Sequence, residues 1–212
     1  MKRVAIVTAN IGGIDEIFPP IKQFHEYELC YFTENTLPFP LPHLNNRMKG
    51  KYFKTQAHRF LDHDVFIWID SSIEVISPNF IEICLANLEE HDVVITRHEQ
   101  RKNVYEELEY IIGKMKAGDK YLLKRYAKEP FYKEYDHYKQ SGLPKTIPLF
   151  NCFFFARHNN AQMNAMFDEW WNEILCYSNF DQTAFSYVSW KHNAKVNVIE
   201  ANNKLFIRNK HQ

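Results

Sequence analysis

The sequence predicts an α/β chain built on one mostly parallel, Rossmann-like central sheet flanked by helices. Three observations predict it. Short continuous apolar runs, such as Val4-Ala5-Ile6-Val7 and Val65-Phe66-Ile67-Trp68-Ile69, have the pattern of strands buried on both faces. Segments of helical spacing separate most of these runs. Several runs stop on polar residues, most sharply at Asp70-Ser71-Ser72, which is how an open sheet presents ligand-binding groups along its carboxyl edge.

Taken in order, Val4 to Thr8 is the first strand, ending in the glycine turn Ala9-Asn10-Ile11-Gly12-Gly13. Tyr27 to Phe32 is the second, stopped by Thr33-Glu34-Asn35. Pro38, Pro40 and Pro42 forbid regular structure from Leu37 to Leu44, and Asn45 to Leu61 reads as a helix leading into the strand before Asp70. Ser77 as N-cap and Pro78 at the first helical position open a helix over 78–90, with Phe80, Ile81, Cys84, Leu85 and Leu88 at helical spacing. Val93 to Thr96 is a strand, and Arg101 to Tyr138, rich in Lys, Glu and Tyr, reads as helices lying across the surface. Phe150 to Ala156 is a strand. Met163, Phe167, Trp170 and Ile174, with Met166 and Trp171 beside them, form a helix face that belongs to the core. A helix over 181–191 and a strand from Val196 to Ile199 precede a polar tail.

A chain of 212 residues suits one domain, 1–212, with a substantial core. Lys plus Arg and Asp plus Glu are both 26, so nothing draws the whole molecule toward nucleic acid or an anionic membrane. Anion recognition must be local. Cys30, Cys84, Cys152 and Cys176 lie far apart in apolar neighbourhoods without a C-x-x-C pair, which predicts reduced, buried thiols, no zinc site and a cytoplasmic setting. No apolar run approaches the roughly 18 residues of a membrane span, so no membrane segment is expected.

Four segments meet at the predicted edge: Thr8 to Gly13, Thr33 to Asn35, Asp70 to Ser72, and Arg97-His98. The first lacks both the dinucleotide glycine fingerprint and the P-loop pattern. Arg47, Lys51 and Lys54 share one helix face, read either as solvated charge or as a row of cations along a diphosphate. Asp70 with Ser72 is a weakened D-x-D, in which strand-end oxygens hold Mn²⁺ or Mg²⁺; the other reading is an Asp that closes a turn. His211 is a late candidate ligand or an exposed terminal residue. Asp181 either favours the start of its helix or orients or deprotonates an acceptor hydroxyl. The polar segment around His98 reads as sugar-hydroxyl contacts, with His98 a catalytic candidate, or as a salt-bridged surface.

Thr8-Ala9-Asn10-Ile11-Gly12-Gly13, Tyr31-Phe32-Thr33-Glu34, Arg47 through Lys54, Trp68-Ile69-Asp70-Ser71-Ser72, His98 through Arg101 with Val104-Tyr105-Glu106-Glu107, Trp170-Trp171 and Asp181-Gln182 occur in one collinear order. In that order they resemble the GT-A-type glycosyltransferases of the plant hexosyltransferase-like family, and the glycosyltransferase domains of large chlorella-virus proteins. The resemblance implies a GT-A fold, a UDP-sugar donor, Mn²⁺ or Mg²⁺ at Asp70, a glycan or glycoprotein acceptor, and a domain of a larger protein, in the host cytoplasm if viral. By position, Thr8, Ala9, Asn10 and Ile11 would face the nucleotide, Arg47 and Lys54 the diphosphate, Asp70 with Ser72 the metal region, and Asp181 the acceptor. Thr33 and Ser71 fall in the same donor-facing segments. Ser72 replaces the second Asp of D-x-D, and Phe180 stands where the family often has a basic residue. The expected reaction moves a hexose or deoxyhexose to a glycan hydroxyl.

Rival readings are weaker. A sugar-nucleotide pyrophosphorylase needs a basic residue in its glycine-rich first loop, which Ala9 to Gly13 lacks. A glycan-binding module would require much of the 16% aromatic content to be exposed. A haloacid-type phosphatase carries its nucleophilic Asp on the first strand.

Overall fold

The computed structural model describes residues 1–16, 18–200 and 205–208. A six-stranded sheet runs through the molecule in the spatial order β2 (Glu28–Phe32), β1 (Val4–Ala9), β3 (Val65–Ile69), β6 (Phe150–His158), β5 (Val93–Arg97), β7 (Val196–Ile199). β1 pairs in parallel with β2 and β3, and β5 with β7, while β6 runs antiparallel to both of its neighbours. The mostly parallel α/β fold is therefore present, with β6 as the one reversed strand of this sheet.

Alternation along each strand divides the core into two layers. Ala5, Val7, Phe66, Trp68 and Ile95 face one layer, covered by α1 (Asn46–Gln56), α3 (Val104–Lys116), α6 (Ala161–Cys176) and α7 (Asp181–Lys191). Val4, Ile6, Ile67, Ile69 and Val94 face the other, closed by α2 (Phe80–Asn87) and by a two-stranded sheet of β4 (Ile73–Val75) and β8 (Phe206–Arg208). The Met163, Met166, Phe167, Trp170 and Ile174 stripe is buried as expected.

Four local expectations are corrected. The helix expected from Ser77-Pro78 begins at Phe80, because Ser77 Oγ bonds the Asn79 side chain and the Ile81 amide donates instead to Gln23 Oε1 at 3.3 Å. The helix expected to reach Leu61 ends at Gln56 and tightens into a 3₁₀ turn over Ala57–Arg59. The 101–138 segment is not a surface layer: together with α3, α4 (Lys120–Tyr126) and α5 (Phe131–Gln140) bury Tyr105, Leu108, Ile111, Tyr126, Phe131, Glu134 and Tyr138. Cys176 is exposed, although the other three thiols are buried.

Candidate functional site

β1 and β3 are adjacent and parallel, so their carboxyl ends deliver Asn10 and Asp70 to the same sheet edge. α1 crosses above that edge. Its start is set by Asn45, whose side chain accepts from the Met48 amide, and its body is anchored where Phe53 stacks on Phe32 with ring centroids 4.2 Å apart. The face carrying Arg47, Lys51 and Lys54 then lines a cleft of about 330 Å³ with Asn10, Asp15 and Asp70.

The floor of this cleft is a charge cluster. Asp181 Oδ2 lies 2.6 Å from Lys51 Nζ and 2.7 Å from Lys54 Nζ, and Lys54 Nζ reaches Asp70 Oδ1 at 3.3 Å. Trp68 Nε1 donates to the same Asp70 oxygen at 2.7 Å. Two ammoniums and two carboxylates balance, which is the condition for burying them. Burial alone would raise the Asp181 carboxyl, but Lys51 and Lys54 outweigh it and hold it well below the usual carboxylate range. Burial would lower Lys54, yet Asp181 and Asp70 raise it; at Lys51 burial prevails and the ammonium is lowered. Asp181 also sits in the first turn of α7, where the helix dipole favours an anion. A carboxylate this strongly neutralised is a poor proton acceptor. The geometry sets Asp181 against two ammoniums, an arrangement that suits holding them in place better than accepting a proton.

Asn10 builds the adjoining turn. Its Oδ1 accepts from the Ile14 and Asp15 amides at 3.0 and 3.2 Å, and its Nδ2 donates to the Asp15 carbonyl at 2.7 Å. Gly12 has φ +98°, a backbone conformation that favours glycine, and a Cβ there would press at 3.1 Å on the end of the Asn46 side chain. The Ser71 hydroxyl donates to the Asp15 carboxylate, tying this turn to the end of β3.

Ala9, Asn10, Ile11, Arg47, Lys54, Asp70 and Ser71 are brought together in the cleft. Other expected residues are placed elsewhere. Thr8 points to the opposite layer, into a cavity of about 140 Å³ shared with Tyr31. Thr33 closes a turn in which its amide donates to Thr36 Oγ1 at 2.8 Å. Ser72 is 8% exposed and does not line the cleft, so its metal-ligand role is not supported. His98 lines a separate depression with Arg97 and Glu200, and its Nδ1 accepts from the Arg101 amide at 3.0 Å. His211 lies outside the described residues.

The cleft also holds Lys51, the third cation of the α1 face, and Asp15, Tyr121 and Arg125, which the sequence reading did not single out. Arg125 donates to the hydroxyls of Tyr126 and Tyr121, both at 3.0 Å, and Arg47 Nη1 donates to the Arg125 carbonyl at 3.2 Å. Burial, then the Arg125 charge, lowers Arg47. Two guanidiniums held side by side at an open cleft suit an anion with more than one charge.

Both hydrogen bonds to Asp70 fall on Oδ1, and its side chain is 41% exposed, so Oδ2 is the oxygen available to a hard cation. Among the described residues no group of three or more His, Cys, Asp or Glu side chains is placed to hold a metal. A divalent ion here would draw its remaining ligands from water and substrate phosphate, as Mg²⁺ commonly does. On those terms the residues fit it.

Among the described residues, no helix is long and apolar enough to cross a membrane. Among solved structures, the apo form of mouse xyloside xylosyltransferase 1 matches with a TM-score of 0.43 and 11% identity, over 82% of this chain and 63% of that one. The chain thus spans less than two thirds of that protein's length. No curated protein matches the sequence. A family model matches residues 39–211, most of the chain and including Arg47, Lys51, Lys54, Asp70 and Asp181, and by that match the protein belongs to the TOD1/MUCI70 glycosyltransferase-like domain family.

Proposed function

We propose that this glycosyltransferase domain moves a hexose or deoxyhexose from a UDP-sugar to a glycan hydroxyl, with Mn²⁺ or Mg²⁺ assisting. The observation that carries the reading is the balanced Lys51, Lys54, Asp70 and Asp181 cluster at the floor of a cleft rimmed by Arg47 and Arg125. In the transfer, the bond between the anomeric carbon and the β-phosphate oxygen breaks, a bond to the acceptor oxygen forms, and the acceptor proton passes to an oxygen of the departing diphosphate. Negative charge grows on the departing diphosphate. Arg47 and Arg125 would take up that charge through their N–H forks, and the Lys51 and Lys54 ammoniums would meet it from below. Asp181 would keep both ammoniums charged and fixed before substrate arrives, so little reorganisation accompanies the reaction. Asp70 would hold the divalent ion, which when bound supplies further charge neutralisation at the diphosphate.

The rings that a non-catalytic glycan-binding module would present are largely elsewhere: Trp68, Trp170, Phe155 and Phe185 are each at most 4% exposed.

Calorimetric titration with UDP, with and without Mn²⁺, on the wild type and Asp70→Ala tests the donor site. Metal-enhanced UDP binding that the variant loses is expected, followed by turnover in a UDP-sugar panel. Folded protein that ignores UDP under both conditions overturns the reading.

A further inference from the structure

The cleft does not end at Arg47. Beyond it, between the start of α1 and the end of α4, lies an open groove of about 800 Å³. Asn46, Arg47 and Arg125 line both the cleft and the groove, so the two are continuous. Four cations line the groove, Arg47, Lys124, Arg125 and Lys128, against one carboxylate, Glu129. In a chain whose net charge is zero, this is a local concentration of positive charge.

Glu129 is occupied within the protein. It accepts from the Asn179 amide at 3.1 Å and from Asn179 Nδ2 at 2.6 Å, while Asn179 Oδ1 receives Arg47 Nη1 at 3.3 Å. The carboxylate is therefore spent on fixing the segment that enters α7, and Asn179 on fixing Arg47. Lys124 and Lys128 are exposed, and neither makes an ion pair with a carboxylate of the described residues. Lys124 on α4 and Lys128 in the turn that follows it are solvated like charges on one groove, which repel each other and gain from a shared anion.

We infer that this groove receives the acceptor, and that the acceptor is an acidic saccharide bearing carboxylate or sulfate-ester groups beyond the hydroxyl that is glycosylated. The inference rests on the donor reading above only for which end of the groove is reactive. Arg125, its guanidinium held by two tyrosine hydroxyls and turned to the donor, would mark the reactive end of the groove. Lys124 and Lys128 would meet anions further along, as point charges tolerant of spacing. A neutral glycan would leave these charges without partners.

The test is calorimetric titration of the full chain with three tetrasaccharides of equal length: one carrying uronate residues, one carrying sulfate esters, and one neutral because its uronates have been reduced. The wild type is compared with K124E/K128E and with K133E/K139E, which makes the same change in net charge on exposed positions of α5 outside the groove. At low salt the acidic tetrasaccharides are expected to bind about tenfold or more tightly than the neutral one. K124E/K128E is expected to remove that preference, while K133E/K139E retains it. Preference for uronate over sulfate, or the reverse, assigns the anion. Equal binding of acidic and neutral sugars overturns the inference, as does a preference that survives K124E/K128E or is lost equally in K133E/K139E. Equal capture of a single-stranded polynucleotide of matching charge also overturns it, by marking an unselective cationic surface. UDP is titrated separately on every variant: loss of UDP binding in the wild type overturns the donor reading, whereas a saccharide failure with UDP binding intact overturns only the groove.

Discussion

Asp181 and Glu134 are both buried carboxylates tied to the first turn of α7, and they titrate in opposite directions. Asp181 belongs to that turn and faces two lysine ammoniums within 2.7 Å. Glu134 reaches it from α5 through the Thr183 hydroxyl, and its Oε1 also accepts from Tyr138 OH at 3.1 Å. Burial pushes Glu134 up to about 7, and the Ser178, Thr183 and Tyr138 hydroxyls only partly offset that rise. Its Oε2 has no hydrogen-bond partner among the described residues. Glu173 behaves alike: burial, then the charges of Glu169 and Glu134, push it up to about 7. Burial sets the cost in each region, and the partner sets its sign. The cleft keeps its charge by supplying cations, whereas the region behind it sheds charge by holding protons.

The largest effect should come from removing the carboxylate that the cations depend on. Asp181→Ala leaves Lys51 and Lys54 facing each other in a buried site, and is expected to cost roughly 3–5 kcal/mol of folding stability, read by urea denaturation. Asp181→Ala combined with Lys51→Met should recover part of that loss, because one ammonium can still pair with Asp70. If the double variant is no more stable than the single one, the pairing between Asp181 and Lys51 is not what the cleft relies on.

Glu134→Gln breaks the other half of the comparison. A carboxyl with a folded value of about 7 against its usual 4.5 stays protonated in the folded chain where the unfolded chain has lost its proton, so stability falls as pH rises through that window. Gln mimics the protonated form. The variant should therefore be more stable than wild type above pH 7, by roughly 2–3 kcal/mol, and equal to it near pH 4. Glu173 adds a fall of the same sign, which a double change with Glu173→Gln should remove, while His58, which burial lowers to about 4, adds a rise over part of the same window. A stability difference between the variant and the wild type that fails to grow from pH 5 to 7 would contradict the assignment.

The sheet was legible because apolar runs and their polar stops are local signals, and so was the α1 face, because Arg47, Lys51 and Lys54 follow helical spacing. Pairing Lys51 and Lys54 with Asp181 was not: it depends on α1 and α7 meeting over one strand end, which no local pattern encodes. Arg125 and Tyr121 escaped because α4 is a seven-residue helix whose Lys, Arg and Tyr content reads as surface. β4 and β8, three residues each, are too short for a period to register. Thr8 is a different case. Strand alternation alone places it on the face opposite Ala9, a signal sufficient to keep it out of the cleft.

The smallest effect sharpens the account of Asp70. Its Oδ1 is held by Trp68 Nε1 at 2.7 Å and by Lys54 at 3.3 Å, which leaves Oδ2 for a cation. Trp68→Phe keeps a ring in the core and removes one of these donors. The Lys54 ammonium remains to neutralise the carboxylate, so stability should fall by only about 1 kcal/mol. Freed of one restraint, the carboxylate can rotate and bring either oxygen toward the cleft, and orientation is what a single-carboxylate cation site depends on. Mn²⁺ affinity in the presence of UDP is then expected to weaken by about threefold to tenfold, with metal-free UDP binding unchanged. Equal weakening with and without metal would instead place the Trp68 ring, and not its N–H, in contact with the donor.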